Sequence, residues 1–307
     1  MNHIYDTIII GSGPAGLTAG IYGKRAQLDV LIIEKSPMSG GQIINTYEVD
    51  NYPGMPGVTG FDLASQFREH CDKLGVPFAE GEVLRADLDT PIKKVWLDDE
   101  AFYEAKTIII AGGAVYRKLL IPGEVEFSGK GVSYCATCDG AFYKNQVVAV
   151  VGGGDVAVED AIFLARGCKT VYLIHRRDAL RAAKTLITQL HACENIEIIW
   201  DSVVEKIEGD EFVESIAIKN LNTMEVSQKK VGGVFVAVGT VPNTEIYGES
   251  LELNESGYIV AGENCVTNLE GVFAAGDIRT KHLKQIITAA ADGANSITTV
   301  ERYLNEQ

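Results

Sequence analysis

Residues 7–16 read Thr-Ile-Ile-Ile-Gly-Ser-Gly-Pro-Ala-Gly, an apolar run followed directly by a glycine-rich turn. Its first part suits a buried parallel strand, and the helix-compatible residues 17–22 follow the glycines. In such a unit the first glycine permits a tight turn, the second lets the backbone approach a pyrophosphate, and the third lets the helix pack on the strand. Free amides at the helix N-terminus favour an anion. The stretch therefore predicts a nucleotide site rather than merely a tight turn.

A second apolar run, residues 30–33, ends in Glu34. Glu34 follows the first glycine by 34 − 11 = 23 residues, where an acid can accept a hydrogen bond from a ribose hydroxyl. Residues 40–42 and 51–54 are rich in turn formers, and taken alone they are typical of surface loops. Further along, residues 60–74 predict an amphipathic helix, and residues 105–113 predict a buried strand that runs into glycines.

The strand, turn and helix pattern recurs in residues 146–166. The apolar run 146–151 leads into a second glycine-rich turn, Gly152-Gly153-Gly154-Asp155-Val156-Ala157. Ala157 stands at the third glycine position, which accepts alanine. A helix is predicted to Arg166 and a strand over 170–174. These residues predict a second nucleotide-binding unit.

Basic residues stand where the first unit has an acid. The same spacing of 23 residues, counted from Gly152, leads to His175. Arg176, Arg177 and Arg181 follow it. A carboxylate would repel a 2′-phosphate, whereas guanidinium groups can pair with it, so the second nucleotide is predicted to be NADP(H). The alternative is that these residues form a solvated basic face.

Cys135 and Cys138 are separated by two residues, and Asp139 follows directly. This spacing lets two thiols close a small disulfide ring that opens and re-forms easily. It could also hold half of a zinc site. Zinc needs four ligands, and the remaining cysteines are scattered singly at positions 71, 168, 193 and 265. In a reducing compartment such a pair is catalytic or metal-bound more often than structural.

The rest of the chain alternates between strand and helix patterns. Beyond Arg181 the sequence predicts a helix to Cys193, a strand over 196–200, a hairpin near 209–210 and a strand over 233–238. Residues 271–275 predict a short strand of the first sheet, followed by Gly276 and Asp277. A carboxylate at that end of a strand can hold a sugar-like hydroxyl chain. Residues 284–304 predict a long helix whose N-terminus could stabilise a reduced flavin, or which simply packs on the core.

Composition narrows the class of protein. The 307 residues are enough for two domains, with 46% hydrophobic and 22% charged residues. A formal charge of −15 argues against a nucleic-acid partner. No apolar run approaches the roughly 18 residues of a membrane span, and the start lacks a basic leader. We therefore expect a cytoplasmic protein without a membrane or nucleic-acid partner.

The motifs together point to a flavin. A nicotinamide gives up a hydride, whereas a disulfide is opened by attack on sulfur, so a carrier able to do both is needed. If the second unit holds NADPH, the first should hold FAD.

Over essentially its whole length the chain resembles the low-molecular-weight thioredoxin reductases, class II pyridine nucleotide-disulfide oxidoreductases. The shared motifs occur in order: residues 11–16, 40–42, 51–54, 135–139, 152–155, 175–177 with 181, and 276–277. The resemblance implies an α/β fold with two Rossmann-like, three-layer ββα nucleotide-binding domains. The NADPH domain, residues 116–244, would be inserted into a discontinuous FAD domain, residues 1–115 and 245–307. It also implies a homodimer that acts on thioredoxin or a thioredoxin-like protein.

The resemblance assigns roles residue by residue. Cys138 would face the flavin, Cys135 would attack thioredoxin, and Asp139 would exchange protons with the dithiol. The domains would rotate about hinges near 114–117 and 240–245, because the dithiol and NADPH must reach the same flavin. The implied FAD-binding residues are Gly11, Ser12, Gly13, Pro14, Ala15, Gly16, Glu34, Lys35, Gly41, Gln42, Asn51, Val83, Ala111, Gly112, Gly276, Asp277, Lys284, Gln285 and Ile286. The implied NADPH-binding residues are Gly152, Gly154, Asp155, Val156, Ala157, His175, Arg176, Arg177 and Arg181.

The chain departs from the usual family pattern at residues 111–113, at Val156 and at Lys284. Alternatives also remain at the level of function. The same dithiol could serve another disulfide substrate, or another electron donor could feed the flavin. A protein of another class, a nucleotide-sensing redox switch, would need no turnover.

Overall fold

The computed structural model describes residues 3–46, 49, 51–98, 101–248 and 250–307. The chain forms two compact units, Met1–Val115 with Val241–Gln307, and Tyr116–Thr240. The sequence predicts that the inserted domain ends at residue 244, whereas in the structure the second unit ends at Thr240. Each unit has its own sheet and its own core.

Before the chain enters the second unit, the first unit contains β1 Ile4–Ile10, α1 Pro14–Arg25, β2 Val30–Glu34, α2 Gly60–Lys73, β3 Phe78–Glu80, β4 Val83–Asp87, β5 Lys93–Leu97 and β6 Phe102–Ile110. Strand β7, Ala114–Tyr116, follows. The second unit contains β8 Val132–Ser133, α3 Ala136–Asp139, β9 Val147–Gly152, α4 Asp155–Ala165, β10 Thr170–Ile174, α5 Lys184–His191, β11 Ile196–Ile199, β12 Ser202–Gly209, β13 Val213–Asn220, β14 Val226–Lys230 and β15 Gly233–Ala237. Strand β16, Thr240–Pro242, pairs with β7, and the chain ends with β17 Val272–Ala274 and α6 Ile286–Glu306.

The first unit is built on a sheet of order β3-β2-β1-β6-β5-β4, with β17 beside the end of β6. Strands β2, β1, β6 and β17 run parallel, whereas β5 and β4 are antiparallel additions. Because side chains alternate across a sheet, Ile8 and Ile10 enter one core cluster while Ile9 packs with Leu17 and Ile297 on the side of α1 and α6. Burial on both faces explains why these strands read as continuous apolar runs.

The second unit has three layers. The parallel sheet β11-β10-β9-β15-β8 lies between helices and the antiparallel sheet β12-β13-β14. Val150 packs with Leu164 of α4 on the helix side, whereas Val151 packs with Ile216 of β13 on the other. The predicted hairpin near 209–210 is confirmed as the β12–β13 turn. The predicted α/β fold class, with this ββα layering, is confirmed.

Two helices begin later than the sequence predicts. Helix α5 begins only at Lys184, because the Arg181 amide donates to the Gly153 carbonyl (2.8 Å) and the Ala183 amide to the Asp155 carboxylate (2.7 Å). These bonds tie the segment to the second glycine turn instead of to a helix. Helix α6 begins at Ile286, since Gln285 is its N-cap and forms a capping box with Thr288. Within the described ranges, no helix is both long enough and apolar enough to span a membrane.

Candidate active site

The first glycine turn connects β1 to α1. Gly11 has φ +105°, and a Cβ there would lie 2.5 Å from the Ala111 carbonyl at the end of β6. A Cβ on Gly16 would overlap the Gly11 carbonyl, so α1 sits close against the turn. Around Gly13, in contrast, nothing lies within 4 Å of the Cβ position. The turn thus has an open side at the glycine where a pyrophosphate would approach.

Glu34 holds this turn from inside the protein. Its Oε2 accepts hydrogen bonds from both the amide and the hydroxyl of buried Ser12, each 2.7 Å, and Oε1 accepts one from the Ser36 amide (2.9 Å). The sequence predicted a ribose contact for Glu34, and the structure adds a role in ordering the turn. Lys35, in contrast, is exposed and pairs with Glu82 at 3.0 Å.

The two segments that look like surface loops in the sequence pack beside this turn. The Gly40 amide donates to the Ser12 carbonyl (2.8 Å), and a Cβ on Gly41 would lie 3.5 Å from the Gly13 Cα. Gln42 donates from Nε2 to the Ala114 carbonyl. Asn51 donates from Nδ2 to Gln285 Oε1 (2.8 Å), across a long stretch of chain, so the fold brings it to the start of α6.

The returning strand β17 completes the same region. The Ala275 amide donates to the Ile110 carbonyl (3.0 Å), and a Cβ on Gly276 would lie 2.9 Å from that of Ala15. Asp277 follows, and its Oδ1 is buried without a hydrogen-bond partner. Burial raises the pKa of Asp277, against the opposing charges of Lys281 and Lys284. A buried, unpaired carboxylate oxygen is costly, and a hydroxyl of a ligand would satisfy it by donating a hydrogen bond, so this acceptor fits a flavin's hydroxyl chain.

Sequence reasoning missed the ion cluster that supports Asp277. Asp292 of α6 accepts from Arg279 Nε (2.8 Å) and Nη2 (2.6 Å), from Lys281 Nζ (2.9 Å), and from the Gly276 amide (2.9 Å). Burial acts to raise the pKa of Asp292, but the bonds from Arg279 and Lys281 hold it below its ordinary value. The apolar stripe predicted for this helix does not include Asp292, so its burial is evident only from the structure.

The other residues implied for FAD are dispersed over the first unit. Val83 is buried in β4. The Gly112 carbonyl accepts a hydrogen bond from Nδ2 of Asn243 (2.7 Å). Asn243 is not among the binding residues that the sequence implied. Lys284 lies with Nζ 3.1 Å from the centroid of the Tyr258 ring. Ile286 is the first residue of α6.

The second glycine turn, between β9 and α4, repeats the design of the first. A Cβ on Gly152 would lie 2.6 Å from that of Ala157, whereas nothing lies within 4 Å of the Cβ position of Gly154. Asp155 begins α4, and Val156 beside it is 56% exposed. This turn also has an open side, which fits a second dinucleotide.

The structure separates His175 from the arginines with which the sequence grouped it. His175 is buried, its Nε2 has no partner, and a Cβ on Gly153 would overlap its ring. Burial lowers the pKa of His175, and the charges of Arg181 and Arg177 act in the same direction. The imidazole therefore lies neutral beneath the turn. Arg176, Arg177 and Arg181 are exposed, as a phosphate-binding group must be.

Cys135 and Cys138 form a disulfide, with their Cα atoms 5.3 Å apart. Cys135 is the N-cap of α3, and its carbonyl accepts from the amides of Cys138 (3.2 Å) and Asp139 (3.1 Å). Both cysteines are partly exposed, whereas Ala136 between them is fully buried. Among the described side chains, no group of three or more His, Cys, Asp or Glu residues could hold a metal ion.

Asp139 is a partly buried acid beside this disulfide. Ser133 donates from Oγ to Asp139 Oδ2 at 2.5 Å. Burial raises the pKa of Asp139, and the Ser133 hydrogen bond acts in the opposite direction. Two cysteines outside the pair, Cys71 and Cys265, have thiol pKa values raised to about 12 by burial, so they are inert at neutral pH.

Comparison with known proteins agrees with this geometry. Residues 5–293 match the profile of the family described as pyridine nucleotide-disulphide oxidoreductase. The chain is 44% identical over 311 residues to a thioredoxin reductase of Peptoclostridium acidaminophilum, covering 99% of this chain and 98% of the relative. It is 42% identical to a thioredoxin reductase of Bacillus subtilis (strain 168), covering 99% and 96%. The crystal structure of thioredoxin reductase from Streptococcus pyogenes MGAS5005 superposes with a TM-score of 0.93, at 44% identity and full coverage of both chains.

Proposed function

Because the chain belongs to the pyridine nucleotide-disulphide oxidoreductase family, we propose that it is a thioredoxin reductase that transfers electrons from NADPH through FAD to thioredoxin. The observation that carries this proposal is the Cys135–Cys138 disulfide, formed in the unit that also holds the second glycine turn, with the partly buried carboxylate of Asp139 beside it. The protein is an FAD-dependent oxidoreductase.

The two open glycine turns support the two cofactors. FAD would fit the first turn, and the unpaired Oδ1 of Asp277 would accept a hydrogen bond from its hydroxyl chain. NADPH would fit the second turn, and the exposed Arg176, Arg177 and Arg181 would hold its 2′-phosphate. When bound, the flavin would supply the redox chemistry that couples hydride transfer from a nicotinamide to two-electron reduction of a disulfide.

The chemistry of the cysteines balances as thiol–disulfide exchange. Two electrons and two protons convert the Cys135–Cys138 disulfide into two thiols. The Cys135 thiolate then attacks one sulfur of thioredoxin's disulfide, and the other thioredoxin sulfur leaves as a thiolate. Attack of the Cys138 thiolate on the Cys135 sulfur re-forms the internal disulfide and releases the second thioredoxin thiolate. Asp139 exchanges protons with these sulfurs. Overall, NADPH, one proton and a disulfide give NADP⁺ and a dithiol.

A Cys138→Ser variant tests this assignment. With NADPH under anaerobic conditions, its flavin should bleach as in the wild type, while thioredoxin turnover should be abolished. Cys193→Ser, a partly exposed cysteine outside the disulfide, should retain both activities. Surviving turnover in Cys138→Ser would contradict the role of the dithiol. A colourless wild-type protein would exclude the flavin, and a yellow one that NADH or reduced ferredoxin bleaches but NADPH does not would indicate another electron donor.

We further infer that the protein works in the cytoplasm as a homodimer. The Cys-x-x-Cys pair supports a reducing compartment, because such pairs there are catalytic rather than structural. The dimer is carried over from the family resemblance, and light scattering of the purified protein tests it directly. A mass near 33.1 kDa would contradict it.

A further inference from the structure

We propose that Ser133 is a positioning residue for the dithiol, because its hydroxyl fixes the Asp139 carboxylate relative to the backbone of Cys135. This inference rests on the proposed disulfide reductase function. Ser133 belongs to none of the motifs that identify the nucleotide or dithiol sites in the sequence.

The sheet fixes the position of Ser133. The residue ends β8, where it pairs in parallel register with Phe235 of β15, and it is only 4% exposed. The carboxylate that it binds comes from α3, a four-residue helical segment. An acid on such a short turn would ordinarily be free to turn towards solvent. The contact to Ser133 therefore connects this short helical segment to the parallel sheet.

The hydroxyl serves two neighbours at once. Ser133 Oγ accepts from the Cys135 amide at 3.1 Å and donates to Asp139 Oδ2 at 2.5 Å. The Cys135 carbonyl also lies near, at 3.3 Å. A hydroxyl has a single proton, and the shorter, charge-assisted bond to the carboxylate takes it. One oxygen atom thus links the backbone of the first cysteine to the acid that follows the second.

This link also opposes the effect of burial on Asp139. Burial favours the neutral acid, whereas a hydrogen bond donated to the carboxylate favours the ionised form. Burial raises the pKa of the Tyr143 phenol, and the charge of Asp139 acts in the same direction. Burial also raises the pKa of the nearby Cys168 thiol, so both groups are neutral near pH 7. Helix α4 packs against α3. The pKa of Asp160 on α4 is raised by burial and by the charge of Glu159. Among the residues that the structure describes, the Ser133 hydrogen bond is the contact that stabilises the ionised form of Asp139.

The test compares Ser133→Ala with Ser133→Thr and with Ser202→Ala. Ser202 is a matched control, since it is equally buried in the same unit and its hydroxyl donates only to the Trp200 carbonyl (2.6 Å). Thermal unfolding first establishes that each variant is folded. We expect Ser133→Ala to lower thioredoxin turnover roughly tenfold with flavin bleaching by NADPH unchanged, because general acid–base catalysis supplies about 10²–10⁴-fold and only part of it is lost. Threonine should restore most of the rate, and Ser202→Ala should keep it.

A second readout needs neither cofactor nor thioredoxin. Dithiothreitol reduces the Cys135–Cys138 disulfide, and a mass tag on the new thiols follows the rate. Taking the ratio to wild type at each pH removes the ionisation of dithiothreitol itself. Without the Ser133 hydrogen bond the pKa of Asp139 rises. The pH at which ionisation of Asp139 changes the rate of disulfide reduction should therefore move upward in Ser133→Ala and return in Ser133→Thr.

The double variant decides whether Ser133 acts through Asp139. In an Asp139→Asn background, Ser133→Ala should add little further loss, because contacting residues in one network are not additive. Full additivity, an unmoved pH step, or a threonine variant as slow as the alanine variant would each overturn the proposal. Failure of the proposed function looks different: the wild type itself would not reduce thioredoxin, whereas the dithiothreitol measurement would still report on Ser133.

Discussion

The carboxylate of Asp292 accepts two hydrogen bonds from the guanidinium of Arg279, 2.8 Å from Nε to Oδ2 and 2.6 Å from Nη2 to Oδ1. Both side chains are almost fully enclosed, and Oδ2 also accepts the Gly276 amide. This pair joins α6 to the turn that presents Asp277, so the last helix orders the predicted flavin site.

Removing Arg279 should be strongly destabilising. Arg279→Met leaves the Asp292 carboxylate buried with only Lys281 as a charged partner, and breaking a buried pair typically costs about 3–5 kcal/mol. Urea denaturation measures the loss in free energy of unfolding. Lys73→Gln removes the exposed partner of Glu69 in the same unit and should change little. Equal effects of the two substitutions would show that the buried pair has no special role.

Asp277→Asn should separate stability from cofactor binding. The substitution removes a buried carboxylate whose Oδ1 has no partner, so the flavin-free protein should be as stable as the wild type or more stable. Flavin affinity should fall by roughly 10–100-fold, since a hydrogen bond to a charged group contributes about 1.5–3 kcal/mol. Flavin fluorescence on dilution measures the affinity, with exposed Asp89→Asn as the control. Undiminished retention of flavin would refute the assignment of Asp277.

Gly153→Ala should clash with the ring of His175. We expect a loss of about 1–3 kcal/mol in unfolding free energy, the usual cost of overpacking. In a His175→Ala background the ring is gone, and the same substitution should cost less. The double-mutant cycle measures this coupling. Gly167→Ala, where nothing lies within 4 Å of the Cβ position, is the control. A cycle without coupling would contradict the packing described for His175.

Arg177→Gln should impair NADPH more than NADH. A lost charge-assisted bond to the 2′-phosphate should raise the KM for NADPH by roughly 10–100-fold, while the KM for NADH, which lacks this phosphate, should stay the same. Arg166→Gln, an exposed arginine elsewhere in the second unit, should affect neither. An unchanged KM for NADPH would argue for the solvated basic face instead.

Asp160 should make stability depend on pH. Burial, and to a lesser extent Glu159, raises the pKa of Asp160 to about 7, far above its value in the unfolded chain. The folded state therefore binds the proton more tightly. The contribution to stability is complete below the unfolded pKa of about 4 and is lost as pH rises through about 7. Urea titrations from pH 4 to 8 should show this decline, and Asp160→Asn should flatten it. Exposed Glu159→Gln should largely preserve the decline; an unchanged slope in Asp160→Asn would assign the effect elsewhere.

Local patterns in the sequence were sufficient for the main elements of the fold. The runs that became β1, β2, β9 and β10 are short and apolar, because their strands are covered on both faces, and each glycine turn follows its strand directly. The boundaries of α5 were less predictable. They depend on hydrogen bonds from residues 181 and 183 to the second glycine turn, which lies far back along the chain.

The two glycine turns and the proximity of Cys135 and Cys138 could be predicted without a structure, because strand, turn, helix and a two-residue spacing are local properties of the backbone. Three other features depend on long-range packing: His175 lies beneath Gly153 while the arginines face solvent, Asp292 binds Arg279, and Ser133 binds Asp139. They could not be predicted because a polar side chain at a strand end or on a helix can face either solvent or protein. The packing of the surrounding elements selects between these orientations, since a buried polar group must find a partner or bear the cost of desolvation.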